Sequence, residues 1–415
     1  MPIDVEPSTS TSTGAGSSES TAVVDEGSES TADMSSTSTS SGGSSTADED
    51  GSSSSSGVPV VCDDGRPDED GVCLIEASSF GVSDGPVAVV TGDFDGDGLV
   101  DIVTASLEGD LVTLLAGDGL GGFAEPVDTP LGEDAEPVAL AAGLLSDDGV
   151  SDVLVANRGH NTVSILHGGS EGFTIETLPT GGAPSDVAIV DLNGGGGLDI
   201  AVVNAEDDVL STWIAVSDGG YHLADVSDGG PIPVLDTFVF GQVAAGGALD
   251  VVFAGDLVVG ASPGAGDGTI DETVVVVANV PAPVTRMGGG DANDDGELDV
   301  VLATTGGLVV LIGDGNGGTA EFDSTVLGQH DDVVDALLMD VTGEGNEDVV
   351  AVARGDAELI VYPGKGDGTF DAPTLLAVGD DASGVTAADL DGDDVKEVLV
   401  VDALDGSVTV FEANP

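Results

Sequence analysis

One nine-residue pattern, rich in Asp and Gly and closed by an acid, recurs along the chain, and each copy is followed by a short apolar run. The copies begin at Asp93, Leu144, Asp191, Gln242, Asp291, Asp340 and Asp389, so the intervals are 51, 47, 51, 49, 49 and 49 residues. A fixed period of this length signals one supersecondary unit stacked many times, because a single unit cannot bury its apolar face alone. Within each unit, short runs such as Asp101–Ala105 and Leu111–Leu115 alternate with Gly/Asp turns, and no 3.6-residue periodicity is visible. Evenly spaced short runs of this kind are strands. Aromatic residues make up only 3% of the chain, so the core must be built from Val, Leu, Ile and Ala.

Seven units of four strands predict an all-β fold, a seven-bladed β-propeller of four-stranded antiparallel blades over residues 79–415. Ring closure removes the exposed sheet edge that an open stack would leave. The seventh unit stops after Ser407–Phe411 without its outer strand, and the residues around Cys73–Ala77 are expected to supply it. Residues 58–78 are thus read as a linker carrying the closing strand. Residues 1–57 are a Ser/Thr/Gly-rich acidic stretch without Lys or Arg. Such a stretch cannot offset its ordering entropy by burial and is expected to be a disordered tether. Its composition also permits an O-glycosylated stalk. Cys62 and Cys73 flank a short polar loop. An even pair so placed suits one disulfide in an oxidising compartment, against a bland reading of two reduced thiols.

The turns carry the chemistry. A hard cation such as calcium (Ca2+) takes six to eight oxygens. Acids at positions 1, 3 and 5 of a tight loop can point inward together, with Gly at position 6 permitting the left-handed backbone. Position 7 can offer a carbonyl, and the acid at position 9 closes the shell. The first copy is complete, with Asp93, Asp95, Asp97, Leu99 and Asp101. The fifth offers Asp291, Asn293, Asp295, Glu297 and Asp299, and the seventh Asp389, Asp391, Asp393, Val395 and Glu397, with Asp394 in place of Gly. Weaker sets are Asp340, Thr342, Glu344 and Asp348 in the sixth copy and Asp191, Asn193 and Asp199 in the third. The second copy, starting at Leu144, and the fourth, with Gln242, Ala244 and Gly246, are not expected to bind metal.

The Asp-x-Asp-x-Asp-Gly-x-x-Asp turn, its following strand and the downstream Gly-Asp-Gly-x-Gly-Gly-Phe at Gly117–Phe123 resemble the FG-GAP (VCBS-type) repeats of integrin-α-like propellers. Gly364–Phe370 repeats the second element, and Gly313–Gly318 and Gly266–Ile270 do so more loosely. The resemblance covers residues 72–413. It implies calcium in turns of this type and an adhesion or binding role.

The charge balance narrows the partners. With 78 acidic against 6 basic residues the net charge is -72, which excludes the Lys/Arg clusters that hold nucleic acid or anionic membranes. No apolar run reaches the ~18 residues of a membrane-spanning helix. Among the four histidines no metal or triad spacing occurs, and there is no nucleophile elbow or phosphate-binding loop. Trp213 and Tyr221 are read as blade-core aromatics, with a surface contact as the alternative. Arg158 and Arg354 follow equivalent strands, and are either isolated surface charges or a site for an anionic ligand. The function expected is a non-enzymatic, calcium-binding, extracellular or surface-tethered scaffold for an unknown protein or glycan, acting as a monomer. The alternative is a propeller enzyme of lyase or lactonase type with its site at the central channel; a spacer in a salt-rich exterior is a third reading. Met1-Pro2-Ile3-Asp4 lacks a basic and an apolar leader region, so export would require a leader upstream of it or already removed.

Overall fold

The repeated Gly/Asp turns cut the chain into strands too short to do anything but pair with their neighbours. A computed structural model describes residues 74–146, 148–217, 220–228, 235–243, 247–271, 274–313 and 322–413. Among these residues the strands form seven four-stranded antiparallel sheets, six of them built in chain order from the inside outwards and the seventh completed on its outer edge by Leu74–Gly81. The first blade is Pro86–Gly92, Asp101–Ser106, Leu111–Leu115 and Val127–Pro130. The inner strands of the following blades are Pro137–Gly143, Pro184–Val190, Thr237–Gly241, Val284–Gly290 and Val333–Met339. Each touches the inner strand of the next blade, and the seventh, Ala382–Ala388, returns to the first. The chain is therefore a closed seven-bladed propeller.

Closure uses the N-terminal strand, as the missing outer strand of the last unit implies. Leu74–Gly81 pairs antiparallel with Ser407–Ala413, and that strand with Glu397–Asp402. The closing strand runs to Gly81, beyond the linker boundary read from the sequence. Its Phe80 ring meets Phe123 of the first blade edge-on, 4.9 Å between centroids. Residues 1–57 and the Cys62 and Cys73 pair lie outside the described residues, and so do Ala244 and Gly246.

Burial explains why the second strand of every unit reads as one apolar run rather than an alternation. All six residues of each second strand, from Asp101–Ser106 to Glu397–Asp402, are buried. Both faces of that strand are covered, because each blade is sandwiched between two others. The apolar side chains accordingly gather into seven clusters, one at each blade–blade contact. Trp213 is buried in the cluster between the second and third blades, with Tyr221 packed against it, which agrees with the blade-core reading.

Antiparallel order also fixes the two ends of the ring. The acidic turns join first to second strands, and the Gly-Asp-Gly loops join third to fourth, so both lie at one end of each blade. The hairpins between second and third strands lie at the other. Adjacent turns touch along their rim: the Ser151 N–H donates to the Asp93 carbonyl (2.8 Å) and the Leu298 N–H to the Gln242 carbonyl (2.7 Å).

Candidate metal centres in the acidic turns

The acid at position 9 begins the second strand and is buried in every unit. Asp101, Asp152, Asp199, Asp299 and Asp348 are 0% exposed, and Asp250 and Glu397 are 5%. One oxygen accepts the N–H of the residue at position 2: Phe94 (2.8 Å), Leu192 (2.9 Å), Val243 (3.0 Å), Ala292 (2.8 Å), Val341 (2.9 Å) and Leu390 (2.7 Å). In the second copy Ser146 donates instead, at 2.8 Å. The other oxygen of the first six acids accepts an N–H from the end of the third strand, for example Gly117 and Gly364, both at 2.8 Å. The contact is close enough to demand glycine: a Cβ on Gly117 would lie 2.1 Å from the Val100 carbonyl oxygen, and one on Gly364 2.0 Å from that of Glu347. The closing acid thus pins its turn to the loop that carries the second sequence motif. It does so also in the second and fourth copies, where position 1 is Leu144 or Gln242 instead of an acid.

The remaining acids shape the turn from within. Asp93 accepts from the N–H groups of Gly96 (2.7 Å) and Gly98 (3.0 Å), and Asp389 from those of Gly392 (2.7 Å) and Asp394 (3.1 Å). The position-5 acids Asp97, Asp295 and Asp393 hold the N–H of Leu99, Glu297 and Val395, each at 2.9 Å. Positions 4 and 6 are both left-handed: Gly96 and Gly98, Asp294 and Gly296, Gly343 and Gly345, Gly392 and Asp394. Asp394, at φ 71°, occupies a conformation that glycine adopts without strain. Asp394→Gly is expected to stabilise the protein by about 0.5–1 kcal/mol, seen as a rise in the denaturant midpoint.

Two turns bring three carboxylates together. One oxygen each of Asp93, Asp95 and Asp101 lies within 4.8 Å of the others, and so do those of Asp389, Asp391 and Asp393. Asp97 stands outside the first group and Glu397 outside the second. In the fifth turn the acids do not gather so closely; the Asn293 amide donates to Asp295 (3.0 Å), and Glu297 Oε2 is buried without a hydrogen-bond partner. In the third, the Asn193 amide donates to Asp199 (3.0 Å). In the sixth, Thr342 Oγ1 donates to Asp340 (3.4 Å). Asp191, Glu344 and Asp348 belong to no such group among the described residues. In the second copy an imidazole stands beside the closing acid, His167 Nδ1 lying 3.4 Å from Asp152.

Burial pushes the closing acids upward. Asp101, Asp199 and Asp348 are raised mainly by desolvation, and Asp299 reaches about 6 and Glu397 about 7 for the same reason. The N–H groups they accept from offset part of this, while neighbouring acids, such as Asp391 and Asp393 beside Glu397, add to it. An all-oxygen set of crowded carboxylates, with an unpartnered buried Glu297 oxygen in one copy, fits a hard divalent cation.

The opposite end of the ring differs. Arg158 pairs with Glu136 (3.1 Å), and Arg354 with Asp332 (2.8 Å) and Asp381 (3.7 Å). Both arginines do sit in equivalent hairpins, but their charge is matched within the protein. Beside Arg354 a groove of about 520 Å³ is lined by Asp84, Leu107, Glu108, Asp381 and Leu404. The central channel holds a cavity of about 220 Å³ into which Asp186, Arg286 and Asp335 reach. Arg286, from the fifth blade, spans the channel to Asp186 of the third (3.3 Å) and the Val138 carbonyl of the second (2.8 Å). Asp186 and Asp335 also accept the Phe238 and Val385 N–H groups of the next blades, at 3.3 and 3.1 Å.

Comparison with known proteins agrees with the repeat. The FG-GAP-like repeat family matches residues 340–400, from the sixth acidic turn into the seventh. The described residues form a seven-bladed propeller, and the segment 340–400 within it matches the FG-GAP-like repeat. Comparison with curated protein sequences gives no match. Similar solved structures include BBS1N in complex with ARL6DN, at 15% identity and TM-score 0.58 over 82% of this chain and 97% of that one. Virginiamycin B lyase from Staphylococcus aureus aligns at 11% identity and TM-score 0.54 over 82% and 99%. An Agrocybe aegerita lectin specific for non-reducing terminal N-acetylglucosamine aligns at 16% and 0.51 over 78% and 87%. At these identities the likeness is one of fold.

Proposed function

We propose that this chain is a non-enzymatic, calcium-stabilised propeller, exported or tethered at a surface, that binds a protein or glycan through the hairpin end of its ring. The observation that carries the reading is the division of labour between the two ends. At one end one oxygen from each of three acids in the first turn, and likewise in the seventh, is gathered within 4.8 Å of the others, an all-oxygen set suited to a hard divalent ion. At the other, the groove beside Arg354 presents carboxylates, a guanidinium and Leu404, which is 71% exposed. Such a mixture of polar groups and apolar surface suits hydroxyl-rich or peptide ligands. Two similar folds are consistent with this use, one solved with a protein partner and one described as a sugar-recognising lectin.

The enzymatic alternative has a lyase among its structural neighbours. Against it stands the placement of the groups that would do chemistry. His160 and His167 lie in the second blade, His222 on the outer strand of the third and His330 between the fifth and sixth, and none is on an inner strand. The three charged groups at the channel cavity are engaged in bonds between blades. A glycan array and a pull-down on the full chain, each with and without calcium, test the proposal. Binding lost in a Leu404→Asp, Glu108→Gln variant that still melts like the parent is the expected result. Binding unchanged by that variant would remove the hairpin end as the binding face.

A further inference from the structure

Away from the acidic turns, a different set of donors meets between the fifth and sixth blades. One ring nitrogen of His330 and one oxygen each of Asp356 and Glu358 lie within 4.8 Å of one another. His330 sits in the connection from the outer strand Phe322–Gly328 to the inner strand Val333–Met339. Asp356 is in the hairpin after Asp348–Ala353, and Glu358 opens the strand Glu358–Tyr362.

The hydrogen bonds around the group prepare it for a cation. The Tyr362 hydroxyl donates its one proton to the Leu327 carbonyl at 3.1 Å. Its contact with His330 Nε2, also at 3.1 Å, must then be an Nε2–H donation to the phenolic oxygen. That fixes the neutral tautomer and leaves the lone pair on Nδ1, the arrangement by which an outer partner orients a metal-binding imidazole. Asp356 is positioned by the Asp331 N–H, 2.8 Å from Oδ2, which leaves Oδ1 available. The half-buried Glu358 carboxylate has no hydrogen-bond or ion-pair partner among the described residues. The nearby guanidinium of Arg354 is turned to Asp332 and Asp381. Two carboxylates therefore face an imidazole, with no protein cation between them among the described residues.

We propose that His330, Asp356 and Glu358 form a site for a first-row divalent metal ion of the zinc type, distinct in chemistry from the all-oxygen turns. Imidazole is a ligand for zinc, cobalt and their neighbours, whereas calcium takes oxygens. Three protein ligands leave at least one position for water or for a side chain of a bound partner, and the hairpin of Asp356 is at the end of the ring away from the acidic turns.

The test uses the full chain, stripped of metal and then saturated with calcium, titrated with Co2+ as a spectroscopic probe and with Zn2+ in competition. One equivalent of Co2+ should bind with visible d–d absorption and be displaced by Zn2+. His330→Gln and Glu358→Gln should each weaken it at least tenfold, while Asp389→Asn should leave it unchanged. Melting in calcium checks that each variant is folded; Glu358→Gln deletes no hydrogen bond and gives the cleaner comparison. No stoichiometric Co2+ binding in the parent, or binding undiminished in both His330→Gln and Glu358→Gln, would overturn the assignment, as would displacement of Co2+ by calcium alone.

Discussion

Asp152→Ala is expected to cost about 3 kcal/mol of stability, since two main-chain N–H groups lose a charged acceptor worth ~1.5–3 kcal/mol each, and to cost the same with calcium as with EGTA. Asp152 closes the one described turn that starts with an apolar residue, Leu144, in place of an acid. It is fully buried, and its two oxygens accept from Ser146 and Gly168 at 2.8 and 3.0 Å. Alanine leaves both donors facing a cavity that water reaches poorly. Asp101→Ala removes the equivalent bonds to Phe94 and Gly117, but its oxygen also belongs to the group shared with Asp93 and Asp95. Its penalty should therefore be larger in calcium than in EGTA. Denaturant unfolding of the parent and both variants under the two conditions measures this directly. If both variants lose the same amount in both conditions, the closing acid is purely a main-chain brace and the first turn holds no ion.

The ring itself is readable from spacing, because a period near 49 residues with four apolar runs leaves no other way to bury the strands. The missing outer strand in the seventh unit even locates the closure, at Leu74–Gly81. Less of the turn chemistry is legible. A carboxylate at position 9 has one identity in sequence but two possible tasks, and only coordinates show Asp101 accepting from Phe94 and Gly117. One signal was there to be used. Position 2 is apolar in all seven copies, and in five of them, Phe94, Leu192, Ala292, Val341 and Leu390, it is buried beside the acid to which its N–H donates. Gly at position 4 likewise marks a second left-handed residue, as at Gly96 and Gly392. The fifth turn looks nearly complete as a string, yet Asn293 turns its amide toward Asp295, and an amide donor competes with a cation for the same oxygen. The His330 group has no local spacing at all, since its members come from an inter-blade connection and a hairpin more than twenty residues away. Arg286 reaching Val138 across the channel is equally invisible, being 148 residues distant along the chain.

Calcium should reverse the sign of the pH dependence of stability. In EGTA, the closing acids Glu397 and Asp299 have folded-state values raised to about 7 and about 6. The folded state then binds more protons than the unfolded chain between pH 4.5 and 7 (about the span from ordinary to raised values), so stability must fall as pH rises through that window. Protonation relieves the buried charge, and acidification from pH 7.5 to 5 should raise the melting temperature. With calcium bound, the carboxylates in the first and seventh turns are held ionised and protons compete with the ion, so acidification should lower it. The size of the calcium effect follows from linkage: about 2.7 kcal/mol per site at a hundredfold excess over Kd, hence about 5 kcal/mol for two. Melting curves at pH 5 and 7.5, in millimolar calcium and in EGTA, give all four corners. A melting temperature that ignores EGTA at pH 7.5 would leave the gathered acids of Asp93 and Asp389 without an ion. A slope of the same sign in both conditions would mean that the buried acids titrate without reference to the metal.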